Sequence, residues 1–475
     1  VGRCDPIGDE DWFRFSAKKD QLLTIEGISE RAGFPADLTL LLRRVLPEDA
    51  KQPGMFRAED IGEYDDNPTN VGRFLFDSST HDPLTVFQVP ADGDYLLGVR
   101  DRFGNSRGDE RFVYRISIGT AQPDFRLAVT SQDETNLSTL LVRQGGTSFV
   151  RVFALRRAGF GGEIKVEAVG LPAGLTAPPV VLGPNVNEVP LVFTAAADMA
   201  DFTGPIEIQG TAEIGGKPVV HKARASTLVW PGSGNAPTHS RLSRGFVAAV
   251  RANAPYLLTA APAEAAFGQG SQFTVQLKLQ RRWPEFTGKL EGIAAINLPP
   301  NVDQAPVVIG DNAADGVLQL YFKREVPPGN YSFAVRGTGQ VPYGKKPEDK
   351  KANVPVLDPS LPITVTVLPR PVELTANPKT PSVKPGAEVA IPVTINRVNG
   401  FEGPLDLELT VPPGIAGIAA AKVTVPAADK VGTVKITVAG DVPVGDKSNI
   451  TIRGTAKVGE RNVTVDEPIV LKVIQ

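Results

Sequence analysis

Arg397-Val398-Asn399-Gly400-Phe401-Glu402-Gly403 carries a pattern that the chain repeats three times. Arg282-Trp283-Pro284-Glu285-Phe286-Thr287-Gly288 and Arg156-Arg157-Ala158-Gly159-Phe160-Gly161-Gly162 keep Arg, Phe and Gly at the same offsets. A Pro-containing turn follows each copy, at Leu171-Pro172, Leu298-Pro299 and Val411-Pro412, and then a Gly-Thr pair at Gly210-Thr211, Gly337-Thr338 and Gly454-Thr455. Phe precedes the turn by 11, 12 and 10 residues, and the turn precedes Gly-Thr by 39, 39 and 43. Spacing held this closely marks one domain type present three times in tandem. A residue needed once for chemistry has no reason to recur in that way.

Working outward, the flanking runs alternate with period two, the pattern of half-buried strands. Val389, Ile391, Val393 and Ile395 share one face in the third copy, as do Phe273, Val275, Leu277 and Leu279 in the second. The matching run in the first copy reads Phe149, Arg151, Phe153 and Leu155, so Arg151 is expected at the sheet rim with its head in solvent. Pro392 inside a run predicts an edge strand, since it has no N–H for the ladder. In the cassette, Phe is expected to plug the sandwich end and Gly to take a positive φ, with Arg capping carbonyls or stacking on the ring. Arg156, Phe160, Gly162, Arg282, Phe286, Gly288, Arg397, Phe401 and Gly403 are therefore read as fold determinants rather than as a thrice-displayed binding loop.

The repeats occupy 122–230, 254–368 and 369–475, each near the ~100 residues of an immunoglobulin-like sandwich. Between the first two, 231–253 reads as a linker opening with Pro231-Gly232-Ser233-Gly234 and carrying an extra strand from Phe246 to Val250. The second repeat holds an insertion at 341–360, rich in Lys, Pro and Asp, which reads as either mobile or functional. Leu368-Pro369-Arg370-Pro371 leaves no slack, so the expected shape is an extended, stiff rod.

Composition agrees with an all-β chain of tandem β-sandwiches: of 475 residues, 47 are Gly and 42 Pro, set between Val-, Thr- and Ile-rich runs. A net charge of −3, well mixed, gives no field for nucleic acid or an anionic membrane. No apolar run approaches the ~18 residues of a membrane-spanning helix. The chain opens directly on a strand-like segment, which predicts a mature or trimmed piece of something longer. Cys4 is the single cysteine, so no intrachain disulfide forms, and it reads as a buried small hydrophobe. Histidines occur only at His81, His221 and His239, with no catalytic elbow or metalloprotease motif, so enzymatic chemistry is not expected. Asn136, Asn330, Asn449 and Asn462 head glycosylation-type triplets of the kind that a Thr-rich β protein produces by chance. Trp230, Trp283 and Phe103 are the aromatics that could stack on sugars if exposed.

Residues 1–121 follow a different pattern. Leu38, Leu40 and Leu42 alternate, as do Tyr95, Leu97 and Val99, and about eight such runs make a separate jelly-roll-like sandwich. Asp9, Asp11, Asp37, Asp65 and Asp66 supply hard oxygen donors, although Asp at such places ordinarily caps turns. Four stretches, Asp9-Glu10-Asp11-Trp12-Phe13-Arg14-Phe15, Asp37-Leu38-Thr39-Leu40, Asp65-Asp66 and Asp92-Gly93-Asp94-Tyr95, together resemble the bacterial pre-peptidase C-terminal domain over about a quarter of the chain. The resemblance implies a non-catalytic sandwich accessory to secreted enzymes or surface proteins, and puts Asp9, Asp11 and Asp66 forward for calcium. The expectation is a structural or adhesive module array of a secreted, periplasmic or cell-surface bacterial protein. Its partners would be other proteins, a surface polymer or further copies of itself. The rival readings are an accessory subunit of an extracellular enzyme complex and a polysaccharide-binding array.

Overall fold

Alternating Val, Ile and Leu with charged or Thr residues leaves one stable option, a sheet with one greasy face that must find another sheet. The computed structural model describes residues 1–47, 54–73, 75–132, 139–230, 239–243, 245–344, 350–412 and 414–475. Asn136, the opening of the connection at Pro231–Gly234, and 345–349 of the insertion lie outside the described residues. Among the described residues, apart from one short 3-10 turn, Glu30–Ala32, the regular elements are all strands.

The first domain is two four-stranded sheets. One has the order Gly2–Arg3, Val113–Thr120, Leu22–Ile28, Leu84–Gln88, and the other Glu10–Ala17, Gly93–Asp101, Leu38–Val45, Ala58–Tyr64. Leu38, Leu40, Leu42, Tyr95, Leu97 and Val99 meet Ile25 and Tyr114 in its core.

The other three domains share one topology. In the last, Val372–Ala376, Glu388–Arg397, Val431–Val438 and Ile418–Ala420 form one sheet. Ser382–Val383, Arg461–Val473, Gly445–Val458, Leu405–Thr410 and Val423–Val425 form the facing one. The same order holds for Tyr256–Ala261, Ser271–Arg281, Asp315–Phe322 and Val302–Gln304 opposite Glu264–Gly268, Ile363–Leu368, Gly329–Tyr343, Leu290–Ile296 and Val307–Ile309. It holds again in the second domain, and in all three the strand that opens the larger sheet runs parallel to the domain's final strand. This is immunoglobulin-like architecture, an all-β tandem of sandwiches.

The repeated topology explains the connection at 231–253. Phe246–Asn253 pairs parallel to Thr139–Gln144 and antiparallel to Phe202–Ile214, which makes it the final strand of the second domain's sandwich. Before it, Arg224–Trp230 and His239–Ser243 form a hairpin on the edge strand Asp124–Ser131. The second domain thus extends to Asn253, and the residues read as a linker are largely its own strands.

Two expectations change. Pro392 sits on Glu388–Arg397, which is paired on both sides and is not an edge strand. Its carbonyl accepts Asn377 N–H at 3.0 Å where the neighbouring strand has already ended at Ala376, so the missing N–H points past that end and breaks no ladder bond. In the second domain the alternation is inverted. Val150, Val152 and Ala154 face the core, while Phe149 and Phe153 face outward and are nevertheless buried. Arg151 lies between them, bound to Glu188 and to the Gln132 carbonyl, with its side chain only 19% exposed rather than free in solvent.

Candidate functional site

The cassette resolves into a carbonyl clamp. Arg156 lies 5.4 Å over the Phe160 ring and donates to the carbonyls of Gly162, Gly183 and Val186. Arg397 does the same for Gly403, Pro426 and Asp429. In the third domain the clamp is Arg281, not Arg282: Arg281 lies 5.5 Å over Phe286 and donates to Gly288, Gly310 and Ala313. Arg282 is turned away, toward Gly145 of the second domain, where a Cβ would collide with its guanidinium. The cassette glycines do not take positive φ, which falls earlier, on Ala158-Gly159 and Asn399-Gly400. Gly162 and Gly403 are needed because a Cβ there would press to 2.9 Å from the Phe160 or Phe401 ring. The cassette therefore ties a loop to the end of each sandwich.

The acidic residues of the first domain do not gather as the resemblance implied. Asp9 accepts the Asp5 N–H, and Asp11 accepts the Tyr114 hydroxyl. The carboxylates that converge are Asp37 and Asp66, with His81, their donor atoms within 4.8 Å of one another. Burial and the Asp66 charge push the Asp37 carboxyl upward, and Asp65 rises for the same reasons. The hydrogen bond to Asp66 raises His81. Two carboxylates and an imidazole suit Zn²⁺ better than Ca²⁺, which takes six to eight oxygens. Arg102, paired with Asp65 and 3.6 Å from Asp66, already neutralises much of this charge. Cys4 is buried, its thiol pushed up to about 12 by desolvation and by Asp101, so it stays protonated.

Side chains that sequence reasoning missed concentrate at the three joints between domains. At the first, Phe76 packs 6.2 Å from Phe153 beside Ala128, with Arg157 3.9 Å from Glu26. At the second, Phe149 and Val192 pack with Ala334 and Ile296, sheet face on sheet face. Around that patch Glu163 accepts Asn330 N–H at 2.7 Å and its Nδ2 at 3.0 Å, Ser332 Oγ accepts Val181 N–H, and Arg143 pairs with Asp358 at 3.1 Å. Phe149 and Phe153 are four residues apart on one strand face, roughly 13 Å at ~3.3 Å per residue, so the first and third domains share a sheet of the second. At the third joint Asp466 accepts the Gln272 N–H at 2.6 Å and two bonds from Arg453. Glu467, fully buried beside it, takes Lys379, Arg324 and the Ala376 N–H. Gly268 permits this approach, since a Cβ there would lie 2.5 Å from the Thr464 carbonyl. One signal was available in the sequence: the apolar outer face of Thr147–Arg157 has no use in an isolated sandwich.

Of the aromatics, Trp230 is 64% exposed and Phe103 50%, whereas Trp283 packs against the third domain's core. Phe103 lies under the Arg107 guanidinium. No helix among the described residues is long and apolar enough to cross a membrane.

No family model matches the chain, and no curated protein matches it. Among solved structures, it is similar to a protein of unknown function from Porphyromonas gingivalis W83, at 12% identity and a TM-score of 0.15, over 51% of this chain and 99% of that one. It is also similar to Dpr2 Ig1-Ig2 in complex with DIP-Theta Ig1-Ig3, at 10% identity and a TM-score of 0.16, over 74% of this chain and 100% of that one. Likeness at this level carries no argument about function.

Proposed function

We propose that the chain is a non-catalytic structural or adhesive array of a secreted or cell-surface bacterial protein. In this reading its first domain is pre-peptidase-like and its three immunoglobulin-like domains hold partner-binding surfaces at fixed separations. The observation that carries the reading is that every joint is closed by buried side chains rather than spanned by a free linker. Joints of this kind remove the domain motion that is otherwise the default between tandem modules. A preassembled body loses less entropy when it docks at several points at once, so weak contacts add to a firm attachment. Co-sedimentation of the intact chain with bacterial envelopes tests the proposal: saturable retention at least tenfold stronger than that of its separated domains is expected. Equal retention of whole and parts would overturn it.

The polysaccharide reading rests on Trp230, an open indole at the end of the strand Arg224–Trp230, because exposed rings stack on sugar faces. Retention on insoluble glycan that is lost in Trp230→Ala would favour it over protein contact.

A further inference from the structure

We propose that the joint between the second and third domains is a clasp that tightens on acidification, in which a proton taken up by the Asp358 carboxyl supplies the donor that two acceptors on one cavity lack. The geometry is that of the segment Asp358-Pro359-Ser360, which leaves the third domain's insertion and is buried throughout. Thr147 of the second domain donates its hydroxyl to the Pro359 carbonyl, and Ser360 is tied back to Val335 through its N–H and its Oγ. Asp358 Oδ1 meets Arg143 of the second domain at 3.1 Å, with the Asp358 side chain only 6% exposed.

Its other oxygen, Oδ2, is buried without a hydrogen-bond partner among the described residues, and so is Oε1 of Gln132. Both residues line one cavity of about 80 Å³ at this joint, together with Arg143, Ser131, Thr139, Ser148 and Phe149. Two orphaned acceptors on one cavity are unfavourable, because each costs the desolvation of its lone pairs. A proton on Oδ2 turns one acceptor into a donor, able to reach the other directly or through a water, for which the cavity has room. An ionised Asp358 offers no such donor.

The surroundings set the direction. Of the charged and titratable groups facing Asp358, Arg143 is its ion-pair partner, and burial holds the Tyr256 hydroxyl protonated well above its ordinary range while it accepts the Asp358 N–H. The Arg336 backbone bridges to Pro359, and its guanidinium lies 5.8 Å over Phe149, which also lines the cavity. Burial pushes the Asp358 carboxyl from 3.8 up to about 6, against the pull of Arg143. Arg143 and the shared cavity tie Asp358 to the second domain, so parting the domains removes burial that raises its carboxyl. A carboxyl raised in the docked state favours docking fully below the free value and loses that contribution as pH rises toward the docked one. Between about pH 4 and 6 the joint therefore weakens with rising pH, by up to about 100-fold in its closing equilibrium for a shift of two units.

Hydrogen exchange of the full chain, read by mass spectrometry as protection factors over 139–148 and 357–361 and referenced to the last domain's core, tests this. In the parent, protection at this joint should rise by up to about 100-fold from pH 7.5 to 4.5. Asp358→Asn carries a permanent donor and should hold the high protection at both values. Arg143→Gln removes the ion-pair partner that opposes proton uptake, so its transition should move to higher pH and persist. A parent joint indifferent to pH, an Asp358→Asn joint that responds as the parent does, or loss of the response in Arg143→Gln would each overturn the proposal. The third result would assign the effect to the ion pair instead. If Asp358→Asn fails to fold, the parent series and Arg143→Gln still decide.

Discussion

Phe153→Ala should separate the first domain from the second while leaving the second folded. Phe153 is 1% exposed, yet none of its burial comes from its own sandwich core, which is built on Val150, Val152 and Ala154 from the opposite face of the strand. Its neighbours are Phe76, Val71 and Leu75 of the first domain, with Ala128 and Leu155 beside it. Truncating a fully buried Phe costs about 3–5 kcal/mol. Here that cost falls on the docked state alone, so the undocked population should rise by about 100- to 1,000-fold or more. Val152→Ala, one residue away and pointing inward, should instead remove about 2 kcal/mol from the second domain's own stability. Hydrogen exchange distinguishes the two. Phe153→Ala should deprotect the segment around residues 71–80 and leave the amides of Glu188–Ala195 slow, whereas Val152→Ala should accelerate the latter. If Phe153→Ala unfolded the second domain, Phe153 would belong to its core and the inverted alternation would be wrong.

Other outcomes follow from the same geometry. Arg281→Ala should cost the third domain about 1–3 kcal/mol by leaving the carbonyls of Gly288 and Gly310 without their donor, while Arg282→Ala should leave its unfolding free energy within about 0.5 kcal/mol; the reverse order in urea melts would restore Arg282 as the clamp. Gly268→Ala should open the joint to the last domain, because its new methyl meets the Thr464 carbonyl, and limited proteolysis should then release an intact last domain; unchanged resistance would count against that contact. Calcium at millimolar concentration should move the first domain's thermal midpoint by less than about 1 °C, since Asp9 and Asp11 already hold internal donors; a saturable rise of several degrees would support the calcium reading instead. The Cys4 thiol should resist alkylation at pH 8 in the folded chain and react on unfolding.

The sandwich repeats were legible because the period-two alternation of Ile391, Val393 and Ile395, or of Val275, Leu277 and Leu279, has one buried face and one wet face. The same logic failed on Thr147–Arg157, where both faces are apolar. Alternation reveals that two faces differ, and it is silent when neighbouring domains bury the second. The doublet Arg281-Arg282 hid a one-residue offset that only the ring of Phe286 resolves. Asp358-Pro359-Ser360 closes the insertion read as either mobile or functional, and nothing local announces that another domain will cover it. Asp37 and His81 are 44 positions apart in sequence, and loop packing rather than spacing brings them to Asp66. Contacts within a domain leave a periodic trace, whereas contacts between domains leave scattered single residues.

With every joint closed, the four domains should move as one body. Paired spin labels report it directly, with Lys19→Cys against Lys278→Cys across the shared sheet, and Lys278→Cys against Lys435→Cys across the last joint; all three positions are exposed, and the buried Cys4 stays unlabelled. One narrow distance population for each pair, no broader than label rotamers allow, is the expected result. Broad or multiple distances in the parent chain at neutral pH would contradict the account and return the domains to beads on a flexible string.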